Sequence, residues 1–219
     1  MISDNSMSQR TLIFRKIIDE IKKKNAGRAL VVGISGIDCS GKTNFARNFE
    51  KFLLHEGCKT QTIHLDDFHN PKQVRYAGES PIDDYYNRSF NIREIIGRLL
   101  QPIHNGQNIS EYITLLDINS DSFSVNRKYE IDRSTIVIFE GVFLFRNELA
   151  EYMDYKVFLD IPFDESFNRA ARRDGAELLR KYGSKYHPTQ KRYLKEFPPD
   201  KTADIVVDNM DWNKPAIIQ

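Results

Sequence analysis

Gly36-Ile37-Asp38-Cys39-Ser40-Gly41-Lys42-Thr43 is the stretch whose residue types and spacing most directly imply chemistry. It reads G-x-x-x-x-G-K-T, a pattern that binds the phosphates of a nucleotide. Gly36 and Gly41 let the backbone turn and come close to an anion. Successive N–H groups would then face the phosphates, and a helix beginning near Lys42 would add its positive end. Lys42 would reach the β- and γ-phosphates, and the Thr43 hydroxyl would hold Mg²⁺. Residues Gly36 to Thr43, with Asn44, are therefore the expected contacts of ATP, or of GTP.

Phosphoryl transfer asks little covalent help of a protein and much positioning and charge compensation. A second acid for the metal is expected at Glu140, which follows the apolar run Ile136-Val137-Ile138-Phe139 and so would emerge at a strand's carboxyl edge. Asp66, in His64-Leu65-Asp66-Asp67-Phe68-His69, is the expected base toward an acceptor hydroxyl, with Asp67 as its rival or structural partner. Thr43, Glu140 and Asp66 thus form the expected metal set. Arg169, Arg172 and Arg173 share a helix face at spacings of three and four, and could deliver cations from a lid. Asp83, Asp84, Tyr85, Tyr86 and Arg88 combine acids with aromatic rings, a mixture suited to a sugar and a base. With Asp66 and Phe68 they are the expected acceptor contacts.

The elements that must position these groups can be read from periodicity. Ile13, Ile17 and Ile21 mark an amphipathic helix from about residue 9 to Asn25. Residues 28–35 read as a buried strand, and Phe45, Phe49, Phe52 and Leu53 as one face of the helix after the loop. Further strands are expected at 59–65, 134–139, 155–160 and 205–207. Residues 71–91 show no clean period and read as a long functional loop. A helix should follow at 92–103, and a hairpin or flap within 109–129. Asp164 is placed to cap a helix containing Phe167, and His187-Pro188 to open another. Strands alternating with helices predict an α/β fold of the P-loop NTPase kind: a parallel sheet, helices on both faces, right-handed crossovers. Residues 1–219 read as one domain, with a lid at about 169–187 and a substrate loop and flap at about 70–130.

Composition narrows the classes. A net charge of +1 over 219 residues gives no field that would gather nucleic acid or an anionic membrane. No apolar run approaches the ~20 residues that a bilayer crossing needs. Cys39 and Cys58 are the only cysteines and show no zinc spacing, so a reducing cytoplasmic setting is expected.

Several segments together resemble the uridine kinase family, whose broader relatives include phosphoribulokinase, pantothenate kinase and nicotinamide riboside kinase. They are G-I-S-G-I-D-C-S-G-K-T, H-L-D-D-F-H, F-E-G-V-F-L-F, D-I-P-F-D-E-S-F-N-R-A-A-R-R-D, K-Y-H-P-T-Q-K-R-Y and A-D-I-V-V-D-N, in order from Ala29 to Asn209. The resemblance implies ATP- and Mg²⁺-dependent phosphorylation of a primary hydroxyl on a nucleoside-like acceptor, with uridine or cytidine, giving the 5′-monophosphate, as the leading expectation. Nicotinamide riboside, pantothenate and a sugar-like metabolite are the alternatives, and a non-catalytic nucleotide-binding module is a second. By position the resemblance implies Asp66 as base, Lys42 and Thr43 at the phosphates, Glu140 near Mg²⁺, Arg169 and Arg173 in the lid, and Asp83 or Asp84 at the ribose. Homo-oligomerisation is left open. The chain departs from the family pattern at Asn44 and Asn91, and Tyr112 to Phe123 holds no Arg or His to read a pyrimidine.

Overall fold

The computed structural model describes residues 7–24, 26–173 and 175–219. The expected helix end at Asn25, and Asp174 within the expected lid, lie outside these. Helix α1 (Gln9–Lys22) leads into β1 (Leu30–Gly36), α2 (Lys42–His55) and β2 (Thr60–His64). Helix α3 (Pro81–Asn87) and a helical run α4 (92–104) precede the hairpin β3 (Ile109–Asp117) and β4 (Ser122–Ile131). Then come β5 (Ile136–Gly141), β6 (Tyr155–Asp160), α5 (Phe163–Arg173), α6 (Ala176–Lys181) and α7 (His187–Glu196). Strands β7 (Ile205–Asp208) and β8 (Ala216–Ile217) end the fold.

The main sheet has the order β2-β5-β1-β6-β7-β8. Its first five strands run parallel, and β8 pairs antiparallel at the edge. Side chains alternate across each strand, so apolar residues at successive positions need cover on both faces. Val32, Ile34, Ile138, Val157 and Leu159 face the layer of α1 and α2, where Ile17 and Phe49 are fully buried. Phe14 anchors that layer, with its ring centroid 5.1 Å from those of both Phe45 and Phe49. Val31, Val137, Phe139, Phe158 and Val206 face the other way, toward Leu99 and Leu100 of α4, Ile113 and Tyr129 of the hairpin, and Tyr193 of α7. Full burial of each such aromatic or branched side chain contributes ~1.5–3 kcal/mol.

The structure amends the expectations in four places. The segment 71–91 is not all loop: Pro81 starts α3 and the Ser80 hydroxyl accepts the Asp83 N–H, a cap-and-proline start that lies in the sequence Ser80-Pro81. The charged stretch before His187 is helical, with α6 and a π turn at Tyr182–Tyr186 running directly into α7. Asp164 lies in the first turn of α5, not ahead of it. The short edge strand β8 has no periodicity to announce it. Among the described residues, no helix is long and apolar enough to cross a membrane.

Candidate active site

The phosphate loop joins β1 to α2 where the sheet's connections diverge, with β5 on one side of β1 and β6 on the other. Open parallel sheets form a crevice at such a point. Gly41 sits at φ +94°, a left-handed conformation that glycine adopts without strain. A Cβ there would stand 2.8 Å from Asn209 Nδ2, and one at Gly36 would stand 2.6 Å from the Leu159 carbonyl oxygen. The Asn209 amide, buried after β7, donates to the Ser40 carbonyl at 2.7 Å and so clips the loop to the neighbouring strand. Lys42 is itself buried and its Nζ donates to the Ile37 carbonyl at 2.9 Å, which folds the ammonium over the loop.

A cleft of about 490 Å³ opens over this loop, lined by Lys42, Thr43, Asn44, Asp66, Glu140 and the arginines 169, 172 and 173, among others. Register explains the acids. Glu140 pairs with Ile34 of β1 and with His64 of β2, which places its side chain between the loop and the second strand end. Its Oε1 accepts from the Thr43 hydroxyl at 3.2 Å and lies 2.7 Å from His64 Nδ1. That bond to the carboxylate raises the His64 pKa above its ordinary value. A threonine hydroxyl and two carboxylates are hard oxygen donors, a set that fits Mg²⁺.

The two adjacent aspartates are treated differently by the fold. Asp66 is exposed to the cleft. Asp67 turns to the hairpin, where Arg127 grips it at 2.9 Å and 3.1 Å. Burial nevertheless raises the Asp67 pKa. Asp67 is thus a structural partner in this geometry, and Asp66 is the carboxylate that faces the phosphate loop.

The three arginines also differ. Arg169 donates to the carbonyls of Cys39, Asn209 and Met210 at 3.1, 2.9 and 2.8 Å, and pairs with Glu165 at 2.9 Å. It ties α5 to the loop and to the chain after β7. Arg173 donates to the Tyr182 hydroxyl at 3.1 Å, which in turn lies 3.4 Å from Cys39 Sγ. Arg172 lines the cleft and makes no hydrogen bond or ion pair among the described residues.

The expected acceptor residues do not gather at this cleft; of the seven, only Asp66 lines it. Asp83 faces solvent and pairs with Arg192 at 2.7 Å. Asp84 is buried, accepting the Gly78 N–H at 2.9 Å with Arg88 Nε at 3.3 Å. Tyr86 is buried and donates to Glu196, and Phe68 packs in the core against Tyr129. Tyr85 lies behind the loop, its hydroxyl donating to Asp38 Oδ2 at 3.3 Å. The physical reason is that α3 is amphipathic and spends its rings and acids on packing and on neighbouring helices.

Asp38 joins the loop to other elements: its carboxylate also accepts from Gln190 of α7, and its carbonyl accepts from the Ser166 hydroxyl at 2.8 Å. Burial raises its pKa, with the Lys42 charge opposing. Gln190, Ser166, Asn209 and Trp212 are site residues the sequence reading missed. Asn209 carries a faint signal, since it follows a strand end in A-D-I-V-V-D-N. Trp212, the single tryptophan, is half exposed at the cleft with the Arg169 guanidinium 5.6 Å from its ring. Nothing in its local sequence foretells that position.

Known proteins share this architecture. A family model described as "Phosphoribulokinase / Uridine kinase family" matches residues 31–211. The chain is 26% identical over 200 residues to a uridine kinase of Haemophilus influenzae, covering 86% of this chain and 91% of that one. It is 26% identical over 204 residues to a uridine kinase of Shewanella frigidimarina, covering 88% and 93%. A solved structure described as "a Possible Uridine Kinase from Bacillus stearothermophilus" superposes with a TM-score of 0.72 at 26% identity, covering 90% of this chain and 96% of that one. A D-glycerate 3-kinase from Cryptococcus neoformans shares the fold, with a TM-score of 0.64 at 12% identity, covering 97% and 98%.

Proposed function

The chain belongs to the phosphoribulokinase / uridine kinase family, and from that premise we propose that it transfers the γ-phosphoryl group of ATP to a hydroxyl of a small acceptor. One observation carries the reading: the phosphate loop, Asp66 and Glu140 border a single cleft. Asp66 would orient the acceptor hydroxyl and take its proton as the new P–O bond forms and the bond to ADP breaks. Lys42 would turn from the Ile37 carbonyl to the β- and γ-phosphates. Thr43 and Glu140, with Asp66, would hold Mg²⁺, which when bound neutralises the phosphate oxygens. Arg172 is the arginine best placed to meet the transferring group, because Arg169 is committed to three backbone carbonyls. The Trp212 ring beside Arg169 offers a face on which the nucleotide base would stack. Residues 169–187 would act as the lid that keeps water from the γ-phosphate.

Uridine is the first acceptor to test, because the relatives carry it in their names, and cytidine, a similar nucleoside with the same primary hydroxyl, is the second. The assay is ADP release from ATP and Mg²⁺, with and without each acceptor. Release that depends on an added acceptor is the expected result. Equal release without any acceptor, or tight ATP binding without turnover, would overturn the kinase reading in favour of a nucleotide switch or sensor.

A further inference from the structure

Two cations converge on one tyrosine ring near His69, three residues after Asp66. Arg75 is 7% exposed and places its Cζ 5.4 Å from the Tyr76 ring centroid. Lys185, from the distant π turn before α7, places its Nζ 5.1 Å from the same ring. The ammonium also stands 5.3 Å from the Tyr85 ring and 5.7 Å from the Tyr186 ring. Like charges brought together from separate elements repel, and a low-dielectric surrounding strengthens the repulsion.

The nearby carboxylates relieve it only in part. Asp121 meets Arg75 Nη2 only at 3.5 Å and is spent on the Lys72 N–H at 2.9 and 3.2 Å. Asp84 is spent on Gly78 and Arg88. Arg75 Nε is buried with no hydrogen-bond partner. Lys185 makes no ion pair among the described residues. Burial, reinforced by the Arg75 charge, presses the Lys185 pKa down. A buried orphan donor, and an ammonium set among ring faces with no ion pair among the described residues, cost stability that an anion would recover.

Both cations neighbour residues that touch the lining of the cleft. Tyr85, beneath Lys185, reaches the phosphate loop through its hydroxyl on Asp38. His69 Nδ1 lies 2.7 Å from the Asp66 carbonyl oxygen, and its ring feels the charges of Asp66, Arg75 and Lys185 together. We propose that Arg75 and Lys185 form an anion subsite beside Asp66, so that the acceptor carries a phosphate ester or a carboxylate in addition to the hydroxyl that is phosphorylated. The proposal rests on the phosphotransferase reading and narrows its substrate class. A guanidinium fork and an ammonium suit either anion.

The test is ADP release with three sets of acceptors: sugar monophosphates, hydroxy acids, and the uncharged nucleosides uridine and cytidine. Each is measured with the unaltered protein and with the Arg75→Gln and Lys185→Gln variants. Lys185 is only half-buried, so its variant keeps the test alive if Arg75→Gln fails to fold. The expected result is turnover with one anionic set, which identifies the anion, and an acceptor KM raised about tenfold or more by either substitution. The KM for ATP should stay within about twofold, a split that mere loosening of the fold would not give. Turnover of uridine or cytidine with a KM that neither variant changes would overturn the subsite and leave the kinase reading standing. Acceptor-independent ATP hydrolysis across all three sets would overturn the kinase reading, and the subsite with it.

Discussion

The clip between Asn209 and the phosphate loop can be tested by a double-mutant cycle with Gly41. Asn209→Ala removes the 2.7 Å bond to a Ser40 carbonyl that is wholly buried, and leaves that oxygen unpaired. Such an orphan costs ~1–3 kcal/mol. Gly41→Ala forces a side chain into φ +94° and puts its Cβ 2.8 Å from Asn209 Nδ2. The left-handed strain is ~1–2 kcal/mol, and the crowding drives the amide off Ser40, adding the same orphan. The single Gly41→Ala variant should therefore lose ~2–5 kcal/mol, the sum of those two ranges. In the double variant Asn209 is already gone, so its loss should be close to that of Gly41→Ala alone. Urea melts of the four proteins give the four free energies. A double variant whose loss equals the sum of the singles within ~0.5 kcal/mol would refute the clip, because it would show that the two sites do not share a partner. ATP affinity should fall in the same order, since the same loop presents the N–H groups.

Asp66→Asn should lower kcat by ~10²–10⁴ while ATP still binds; a near-normal kcat would remove the base assignment. Asp67→Asn, by contrast, breaks the grip of Arg127 and should lower the melting temperature while most of the turnover remains; loss of turnover in a variant that melts normally would count against Asp67 as a structural partner. Trp212→Ala should weaken ATP binding by ~1–3 kcal/mol, the range for one base stacked on one ring; titration with ATP reads it, and an unchanged Kd would place the base elsewhere. His187 titrates below its usual value, chiefly because it is buried. Its folded pKa lies under the unfolded ~6.5, so the unfolded chain takes the proton first. The stability tied to neutral His187 is thus complete above that pH and is lost as pH falls through ~6.5 toward the folded value. The stability difference between the unaltered protein and His187→Gln should shrink across that window, and a difference that stays flat from pH ~8 to ~5 would contradict it.

The sequence by itself determined the phosphate loop, the order of the parallel strands and of the helices that flank the loop, and the acids at two strand ends. These are local properties: glycine at fixed offsets, alternating apolar residues, a carboxylate one step past a buried run. Pairing Glu140 with His64 and with the strand before the loop is a fact of register, and register follows from which faces must be buried. Only the tertiary structure shows that Asp67 is held by Arg127, arriving from a hairpin 60 residues along the chain, while Asp66 lines the cleft. It also withdrew Asp83, Asp84, Tyr86 and Phe68 from the cleft, and brought Trp212, Asn209 and the pair Arg75 and Lys185 into play. Residue type says what a side chain can do. Which partners it meets is set by how distant segments pack, and short-range spacing carries no record of that.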